Sequence, residues 1–315
     1  MHNKRIHLNI ILFLLSFCCS VLFLEVLFRV FPVNNNLYYK KLEWNPEMVG
    51  LYNELYVYDE VLGYEKKDIY ERIKNVLKNN SKNYKILVLG DSITQWGKYV
   101  DYFDNLLAER YNKEIKVINA GVMGYDTELE YRYLKYKGLD LNPNLVILQF
   151  CMNDFRGTPL IIKQKDGSWF ALNGGRKLDR WFNPKLIARS ALYEFIALRL
   201  LYFSSWKKNK KDVVRIPLQK IKHLLEERRI PFYVVVFPWL GEQQCYYDDY
   251  RTIGNILNEL NLSLYTIDLL PYYSRASFDK IREDLIHPNE EGNKIAANVL
   301  LDELKPFLDR EFNIR

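Results

Sequence analysis

The chain has 315 residues, of which 49% are hydrophobic, and a formal net charge of +6. This length accommodates one large α/β domain with attachments, and the apolar content excludes a globally disordered chain. The positive charge is mild, and no zinc-finger spacing or long basic run accompanies it, so nucleic acid is not predicted as a partner. No Cys-x-x-Cys or His-Glu-x-x-His pattern occurs, and no metal site is predicted.

The N-terminal segment predicts a membrane span. The run from Ile10 to Leu24 is apolar apart from two serines and two cysteines, and further apolar residues follow it. Glu25 and Arg29 lie four positions apart, so they share a helix face and can pair near the membrane interface. The whole segment reaches the roughly 20 residues that cross a bilayer. A cleaved signal peptide is the alternative, but no small-x-small cleavage site follows the run. We therefore predict a transmembrane signal anchor over residues 1–31.

Charges at the start of the span predict its orientation. Lys4 and Arg5 precede the apolar run, which favours an N-terminus inside the cell. The bulk of the chain then faces outward, which predicts a single-pass protein of the cell membrane with an extracytoplasmic domain. Residues 32–81 follow as a tether rich in tyrosine. Such rings can sit at the membrane interface or pack on the domain that follows.

Residues 82–315 alternate short apolar runs with amphipathic stretches. The apolar runs predict five buried parallel strands: Ile86–Leu89, Ile115–Ile118, Leu145–Phe150, Phe232–Phe237 and Leu264–Leu269. The amphipathic stretches predict helices at Tyr99–Tyr111, Thr127–Lys137, Leu218–Arg229, Tyr250–Leu260 and Glu290–Asp309. This alternation is typical of a doubly wound α/β sheet with helices on both faces. An insertion at about 155–214 interrupts the pattern, and we expect it to lie over the sheet's functional edge and to select substrate.

A serine follows the first predicted strand directly. The strand leads into Gly90-Asp91-Ser92, and a turn from strand to helix at this point exposes the hydroxyl, as a nucleophile elbow does. A helix cap is the simpler role for a serine in such a place. The residues around Ser92 favour the nucleophile.

A histidine and a carboxylate near the C-terminus can act with Ser92 as general base and as the group that orients the base. The chain has four histidines. His2 and His7 flank the predicted span, and His223 lies in a charged amphipathic helix. His287 remains as the general base, because imidazole exchanges protons near neutral pH. Asp284 lies three residues before it, close enough to fix the ring.

A serine hydrolase also needs hydrogen-bond donors for the oxyanion that forms on the substrate carbonyl. Gly121 follows the second predicted strand and can donate a backbone N–H without obstructing substrate. Asn153 follows the third strand and can donate through its side chain. Both are common loop residues, and their weight comes from lying at the same sheet edge as Ser92.

Residues 84–310 resemble the SGNH, or GDSL-type, serine hydrolase superfamily through four blocks in the same order. Gly90-Asp91-Ser92-Ile93 resembles the first block, Gly121 and Asn153 match the second and third, and Asp284-x-x-His287 matches the last. The resemblance implies a flavodoxin-like three-layer α/β/α fold, no cofactor, and an oxyanion hole built from the Ser92 N–H, Gly121 and Asn153. Cys151 departs from the pattern, because the third block usually has glycine at that position.

These observations predict a membrane-anchored extracytoplasmic serine esterase. Its expected substrate is an acylated glycan or a small ester, from which it removes O-acetyl or other short acyl groups. An O-acyltransferase acting on an envelope or exported polysaccharide would use the same residues but pass the acyl group to a sugar hydroxyl. A non-catalytic envelope binding module is the third possibility, and the intact set of blocks argues against it.

Overall fold

A computed structural model describes residues 2–30, 54–67, 84–111, 115–157, 160–163, 169–172, 186, 189–193, 195–197, 200, 210–241 and 244–314. The chain groups into two compact units. One comprises residues 1–54 and 159–208, and the other comprises residues 55–158 and 209–315. Most of the predicted tether and much of the predicted insertion lie outside the described residues.

The elements are numbered in chain order. The strands are β1 (Tyr56–Asp59), β2 (Gly63–Lys66), β3 (Tyr84–Gly90), β4 (Ile115–Gly121), β5 (Leu145–Cys151), β6 (Leu160–Lys163), β7 (Trp169–Leu172), β8 (Phe232–Phe237) and β9 (Thr266–Asp268). The α-helices are α1 (His2–Val30), α2 (Ser92–Trp96), α3 (Tyr99–Tyr111), α4 (Thr127–Tyr136), α5 (Lys210–Glu226), α6 (Gln244–Glu259), α7 (Leu270–Ala276), α8 (Phe278–Ile281) and α9 (Glu290–Glu311). Short 3-10 helices cover Gly138–Leu141, Met152–Arg156 and Ser263–Tyr265.

The first unit contains α1 and the antiparallel hairpin β6–β7. Helical backbone also occurs at 191–193 and 195–197. The segment Asn9–Val30 of α1 is long and apolar enough to cross a membrane, although a signal sequence would satisfy the same criterion. Its apolar side chains are exposed over most of this length, which suits contact with lipid.

The second unit is built on a five-stranded parallel sheet with the order β4-β3-β5-β8-β9. β3 comes first along the chain and pairs with β4 on one side and with β5 on the other. The chain therefore passes from β3 to β4 on one side and then crosses back to β5 on the other side. Every residue of β5 is buried, which accounts for its near-continuous apolar sequence, since a strand covered on both faces has no solvent side. The predicted flavodoxin-like five-stranded parallel sheet is confirmed.

Helices cover both faces of this sheet. Ile86 and Val88 of β3 share one buried cluster with Phe103 of α3 and Leu300 of α9. On the other side α4 packs against α5, and the side chain of Leu134 is fully buried there. The alternation along β3 sends successive residues to opposite faces, so the apolar runs of the sequence supply two helix–sheet interfaces from one sheet.

The described part of the predicted tether forms the hairpin β1–β2, which belongs to the same compact unit as the sheet. Tyr56 and Tyr64 are buried. The Tyr56 hydroxyl donates to Gln95 Oε1 at 2.9 Å, and the Tyr64 hydroxyl donates to the carbonyl of Met123 at 2.6 Å. The hairpin therefore braces α2 and the loop that follows β4.

Several element boundaries differ from the sequence-based expectation, among them the start of α6, which lies at Gln244 and not at the predicted Tyr250. β9 is shorter than the predicted Leu264–Leu269, because Leu264 lies in a 3-10 turn with 92% of its surface exposed. α5 begins well before the predicted Leu218 and runs through Pro217. Val214 and Leu218 are both fully buried one turn apart, so the burial of this face outweighs the hydrogen bond that proline cannot donate.

Candidate active site

Ser92 occupies the first position of α2, directly after β3 and Asp91. The Asp91 carboxylate accepts the backbone N–H of Ile93 at 2.9 Å and caps the helix. A Cβ added at Gly90 would lie 2.4 Å from Gln149 Oε1, so only glycine permits this tight turn. The Ser92 N–H lies in the first helical turn, where the helix itself supplies no acceptor. The hydroxyl and this N–H therefore meet at the carboxyl end of β3.

Three side chains from separate parts of the second unit form one hydrogen-bonded chain. Ser92 Oγ lies 2.8 Å from His287 Nε2, and His287 Nδ1 lies 2.7 Å from Asp284 Oδ2. When Nδ1–H donates to the carboxylate, Nε2 presents its lone pair to the serine hydroxyl. This order of groups can withdraw the hydroxyl proton as the oxygen attacks a carbonyl carbon.

Hydrogen bonds hold the Asp284 carboxylate in place. Its Oδ1 accepts the backbone N–H groups of Ile286 and His287 at 2.7 and 2.8 Å. Partial burial works to raise the pKa of Asp284, but the hydrogen bonds from the His287 side chain and from these two N–H groups outweigh it and keep the pKa below its usual value. Asp284 thus stays ionised in weakly acidic solution and keeps the Nδ1 proton of His287 oriented.

The loop that carries His287 is fixed from both sides. The carbonyl of Leu285 accepts the backbone N–H of Leu240, which follows β8, at 2.9 Å. The side-chain amide of Asn293 in α9 donates to the carbonyl of Pro288 at 2.9 Å, and its oxygen accepts the backbone N–H of Tyr99 at 3.2 Å. Asn293 therefore joins the histidine loop to the start of α3, close to the helix that begins with Ser92.

The two candidate oxyanion donors lie at the ends of the strands on either side of β3: Gly121 is the last residue of β4, and Asn153 follows β5. Asn153 Nδ2 donates to Asp91 Oδ2 at 2.9 Å, which orients the amide beside the serine turn. The Gly121 N–H donates to Asn119 Oδ1 at 3.0 Å, so Gly121 can reach an oxyanion only by sharing or leaving this acceptor. A Cβ at Gly121 would lie 2.5 Å from the backbone nitrogen of Gln95. Glycine here lets β4 approach α2 closely.

The departure at Cys151 leaves the backbone undisturbed. Cys151 has φ −126° and ψ 156°, an extended conformation that any residue adopts. Its thiol is free and fully buried, and burial raises its pKa well above the usual value, which makes it unreactive. The side chain of Cys245 lies outside the described residues.

Buried polar groups behind the serine turn have no counterpart in the sequence-based site. Gln149 Oε1 accepts the Asp91 N–H at 3.0 Å and the Thr94 hydroxyl at 2.9 Å. Burial raises the pKa of Asp91. Burial also raises the pKa of Glu130 well above its usual value, and neither of its carboxyl oxygens has a hydrogen-bond partner in the described part of the chain. A single polar residue in the apolar strand β5 was the available signal for Gln149.

A pocket of about 400 Å³ opens beside the serine and histidine. Trp96 and Pro288 supply apolar walls, and Lys98, Glu283 and Glu290 supply charged groups. Trp96 is 54% exposed, and its ring centroid lies 6.1 Å from that of His287. Among the described residues, no cluster of histidine, cysteine and acidic side chains is arranged to hold a metal ion.

Comparison with known proteins identifies the family. The model of the GDSL-like lipase/acylhydrolase family matches residues 88–295, while none of the curated proteins compared with the chain matches it. Solved structures with similar folds include an acetylxylan esterase from Geobacillus stearothermophilus, with 18% identity and a TM-score of 0.45 over 70% of this chain and 94% of that one. A lipase/acylhydrolase from Enterococcus faecalis has 18% identity and a TM-score of 0.46 over 71% and 96%.

The family match spans more than half of the 315 residues and includes the strand, turn and histidine loop described above. The chain therefore belongs to the GDSL-like lipase/acylhydrolase family and is a serine carboxylic ester hydrolase.

Proposed function

We propose that this enzyme is a membrane-anchored extracytoplasmic esterase that removes acetyl or other short acyl groups from a glycan or a small ester. One observation carries the catalytic part, namely the continuous chain of hydrogen bonds from Ser92 through His287 to Asp284. α1 is the anchor, and Lys4 and Arg5 at its start keep the N-terminus inside the cell.

In the proposed reaction Ser92 Oγ attacks the ester carbonyl while His287 Nε2 takes its proton. The tetrahedral oxyanion is stabilised by the Ser92 N–H and by Asn153 Nδ2, with Gly121 as a further donor once its N–H leaves Asn119. Collapse of this intermediate breaks the bond to the alcohol, which takes the proton from Nε2. Water then attacks the acyl-enzyme while His287 Nε2 takes one of its protons. The bond between the acyl carbon and Ser92 Oγ breaks, Oγ takes the proton back from Nε2, and the carboxylic acid leaves.

The pocket supports a carbohydrate as the alcohol part of the ester. The leaving oxygen receives its proton from His287 Nε2, so the group that carries it must lie on the histidine side of Ser92. Trp96 stands on this side with an exposed ring face. An indole face covers the apolar face of a sugar ring, and charged groups at the rim can bond to its hydroxyls.

The solvent exposure of Asp284 and His287 favours water over a sugar hydroxyl as the acceptor of the acyl group from the acyl-enzyme. In the described part of the chain 57% of the Asp284 side chain and 25% of the His287 side chain are accessible to solvent. A transferase would need to exclude water from this base. We therefore propose hydrolysis as the main reaction.

The test is acetate release from an O-acetylated xylo-oligosaccharide by the purified full-length enzyme in detergent, with and without a non-acetylated oligosaccharide as acceptor. We expect acetate release at the same rate in both mixtures. Acetylation of the added acceptor, with little free acetate, would establish the transferase instead. Cleavage of 4-nitrophenyl acetate without any cleavage of the acetylated sugar would exclude a carbohydrate substrate of this class.

A further inference from the structure

Within the first unit, Glu25 of α1 accepts three hydrogen bonds from the start of a helical segment far along the chain. Its carboxylate accepts the Ser190 hydroxyl at 2.7 Å and the backbone N–H groups of Ala191 and Leu192 at 3.1 and 3.0 Å. N–H groups in a first helical turn have no acceptor within their own helix, and a carboxylate there is favoured by the helix dipole. Glu25 therefore caps this segment.

Two further residues of α1 extend the contact. Arg29 donates to Glu25 Oε1 at 2.7 Å and to the carbonyl of Arg189 at 2.7 Å. The rings of Phe28 and Phe195 stack with their centroids 4.6 Å apart. Glu25 and Phe28 are half-buried, whereas the preceding turns of α1 are exposed. The contact is thus confined to the C-terminal turns of α1.

This contact distinguishes an anchor from a cleaved signal. Removal of α1 would take the Glu25 acceptor from the N–H groups of Ala191 and Leu192 and would remove the stack of Phe28 on Phe195. Each lost hydrogen bond to a charged group weakens the local fold. A charged pair placed in an apolar span is also costly unless its groups are satisfied, and here Glu25 and Arg29 both bond to the segment that begins at Arg189. α1 is therefore a structural part of the unit.

The capped segment presents an apolar face of its own. Leu186, Ile196 and Leu200 are 45%, 44% and 51% exposed, and the last two lie four positions apart, on one helix face. The Phe28–Phe195 stack joins this segment to the C-terminal turns of α1, and the preceding turns of α1 expose apolar side chains. Because the occupant that covers α1 in the proposed anchor is lipid, the same occupant suits the adjoining face.

We propose that the described residues between 186 and 200 form a second membrane-contacting element, which Glu25 holds against the end of the anchor helix and which rests the Ile196 and Leu200 side chains on the bilayer interface. The proposal rests on the proposed anchoring of α1 but concerns a different segment. It makes the inserted region a part of the membrane attachment.

The test uses the full-length protein in lipid nanodiscs, with an environment-sensitive fluorophore on single cysteines introduced as Leu22→Cys in the anchor, Ile196→Cys in the segment, or His223→Cys on α5. Cys18, Cys19 and Cys245 are replaced by serine, while the fully buried Cys151 is retained. Doxyl lipids quench a fluorophore in the bilayer, and iodide quenches one in water. We expect lipid quenching at positions 22 and 196 and iodide quenching at position 223.

Glu25→Ala then separates docking from anchoring. It should expose the position 196 fluorophore to iodide at least severalfold more than in the parent protein, without changing position 22. Ser20→Ala is the matched control, because its hydroxyl donates to the Ser16 carbonyl within α1, and it should change neither. Iodide access at position 196 in the parent protein, with position 22 still in lipid, would overturn the proposal. Protection from both quenchers would show that protein covers this face, and access at both positions would overturn the anchor itself.

Discussion

Asn153→Ala tests the oxyanion site. The Asn153 amide lies beside the serine turn because Nδ2 donates to the buried Asp91 carboxylate at 2.9 Å. If the amide also donates to the oxyanion, its removal lowers kcat by about 100- to 1,000-fold, equivalent to about 2.7–4 kcal/mol of transition-state stabilisation. KM should stay within about threefold of the wild-type value, because this donor acts on the tetrahedral state more than on bound ester.

The same substitution also has a cost in stability. Asp91 is almost fully buried and loses one of its donors, and a buried acceptor left unsatisfied costs about 1–3 kcal/mol of unfolding free energy. Rates should therefore be measured with 4-nitrophenyl acetate well below the variant's melting temperature. Asp91→Asn is the companion variant. It retains Asn153 but presents an amide that can turn the Asn153 side chain around, so it too should lower kcat.

The reasoning fails if Asn153→Ala leaves kcat unchanged, or if the loss is confined to KM. The first outcome would remove Asn153 from the oxyanion site. The second would make it a contact for bound substrate. A parallel loss of folded protein, measured by circular dichroism at the assay temperature, would assign the effect to the Asp91 partner and not to the transition state.

Three further predictions follow from particular contacts. Trp96→Ala should lower kcat/KM for an acetylated oligosaccharide about tenfold and change kcat/KM for ethyl acetate by less than about twofold, whereas Trp96→Phe should retain most activity on both. Equal losses on both esters would show that Trp96 does not bind the sugar ring. Gly121→Ala should lower the free energy of unfolding, measured by chemical denaturation, by about 1–3 kcal/mol, because the new Cβ would lie 2.5 Å from a backbone atom. Gly254→Ala is the control, because open space surrounds its new Cβ, and it should raise the free energy of unfolding slightly. Burial raises the pKa of Glu130 in the folded state, so the free energy of unfolding should fall as pH rises above the unfolded-state pKa of about 4.3, by at most about 1.4 kcal/mol per pH unit. Glu130→Gln should flatten this pH dependence. An unchanged slope in the variant would assign the titration to a different group.

Much of the sheet could be predicted because parallel strands covered on both faces need continuous apolar runs. Three strands could be predicted from such runs, namely β3, β5 and β8. The residues at the ends of β3, β4 and β5 lie close together because parallel strands end at one edge of a sheet. The first part of α5, before Leu218, could not be predicted because its sequence contains a proline. Pro217 predicts a helix break, whereas in the structure the helix continues through it with Val214 and Leu218 fully buried on either side.

The supporting contacts of the site could not be predicted from local pattern. The bond between Asn153 and Asp91 joins residues 62 positions apart, and Tyr56 reaches Gln95 from a stretch that reads as a tether. Such pairs depend on tertiary geometry, and no spacing rule of a helix or strand brings them together. Gln149 was the exception, since a polar side chain within an apolar strand signals a buried hydrogen-bonding role.

The central claim is that Ser92 is the nucleophile, and covalent labelling tests it most directly. The full-length enzyme is treated with a fluorophosphonate, digested, and mapped by mass spectrometry, alongside the variants Ser92→Ala and His287→Ala. The account predicts one adduct, on the peptide that contains Ser92, strongly reduced labelling in His287→Ala, and loss of esterase turnover up to about a millionfold in Ser92→Ala. An adduct on a different serine, or a Ser92→Ala enzyme that keeps its turnover, would contradict it.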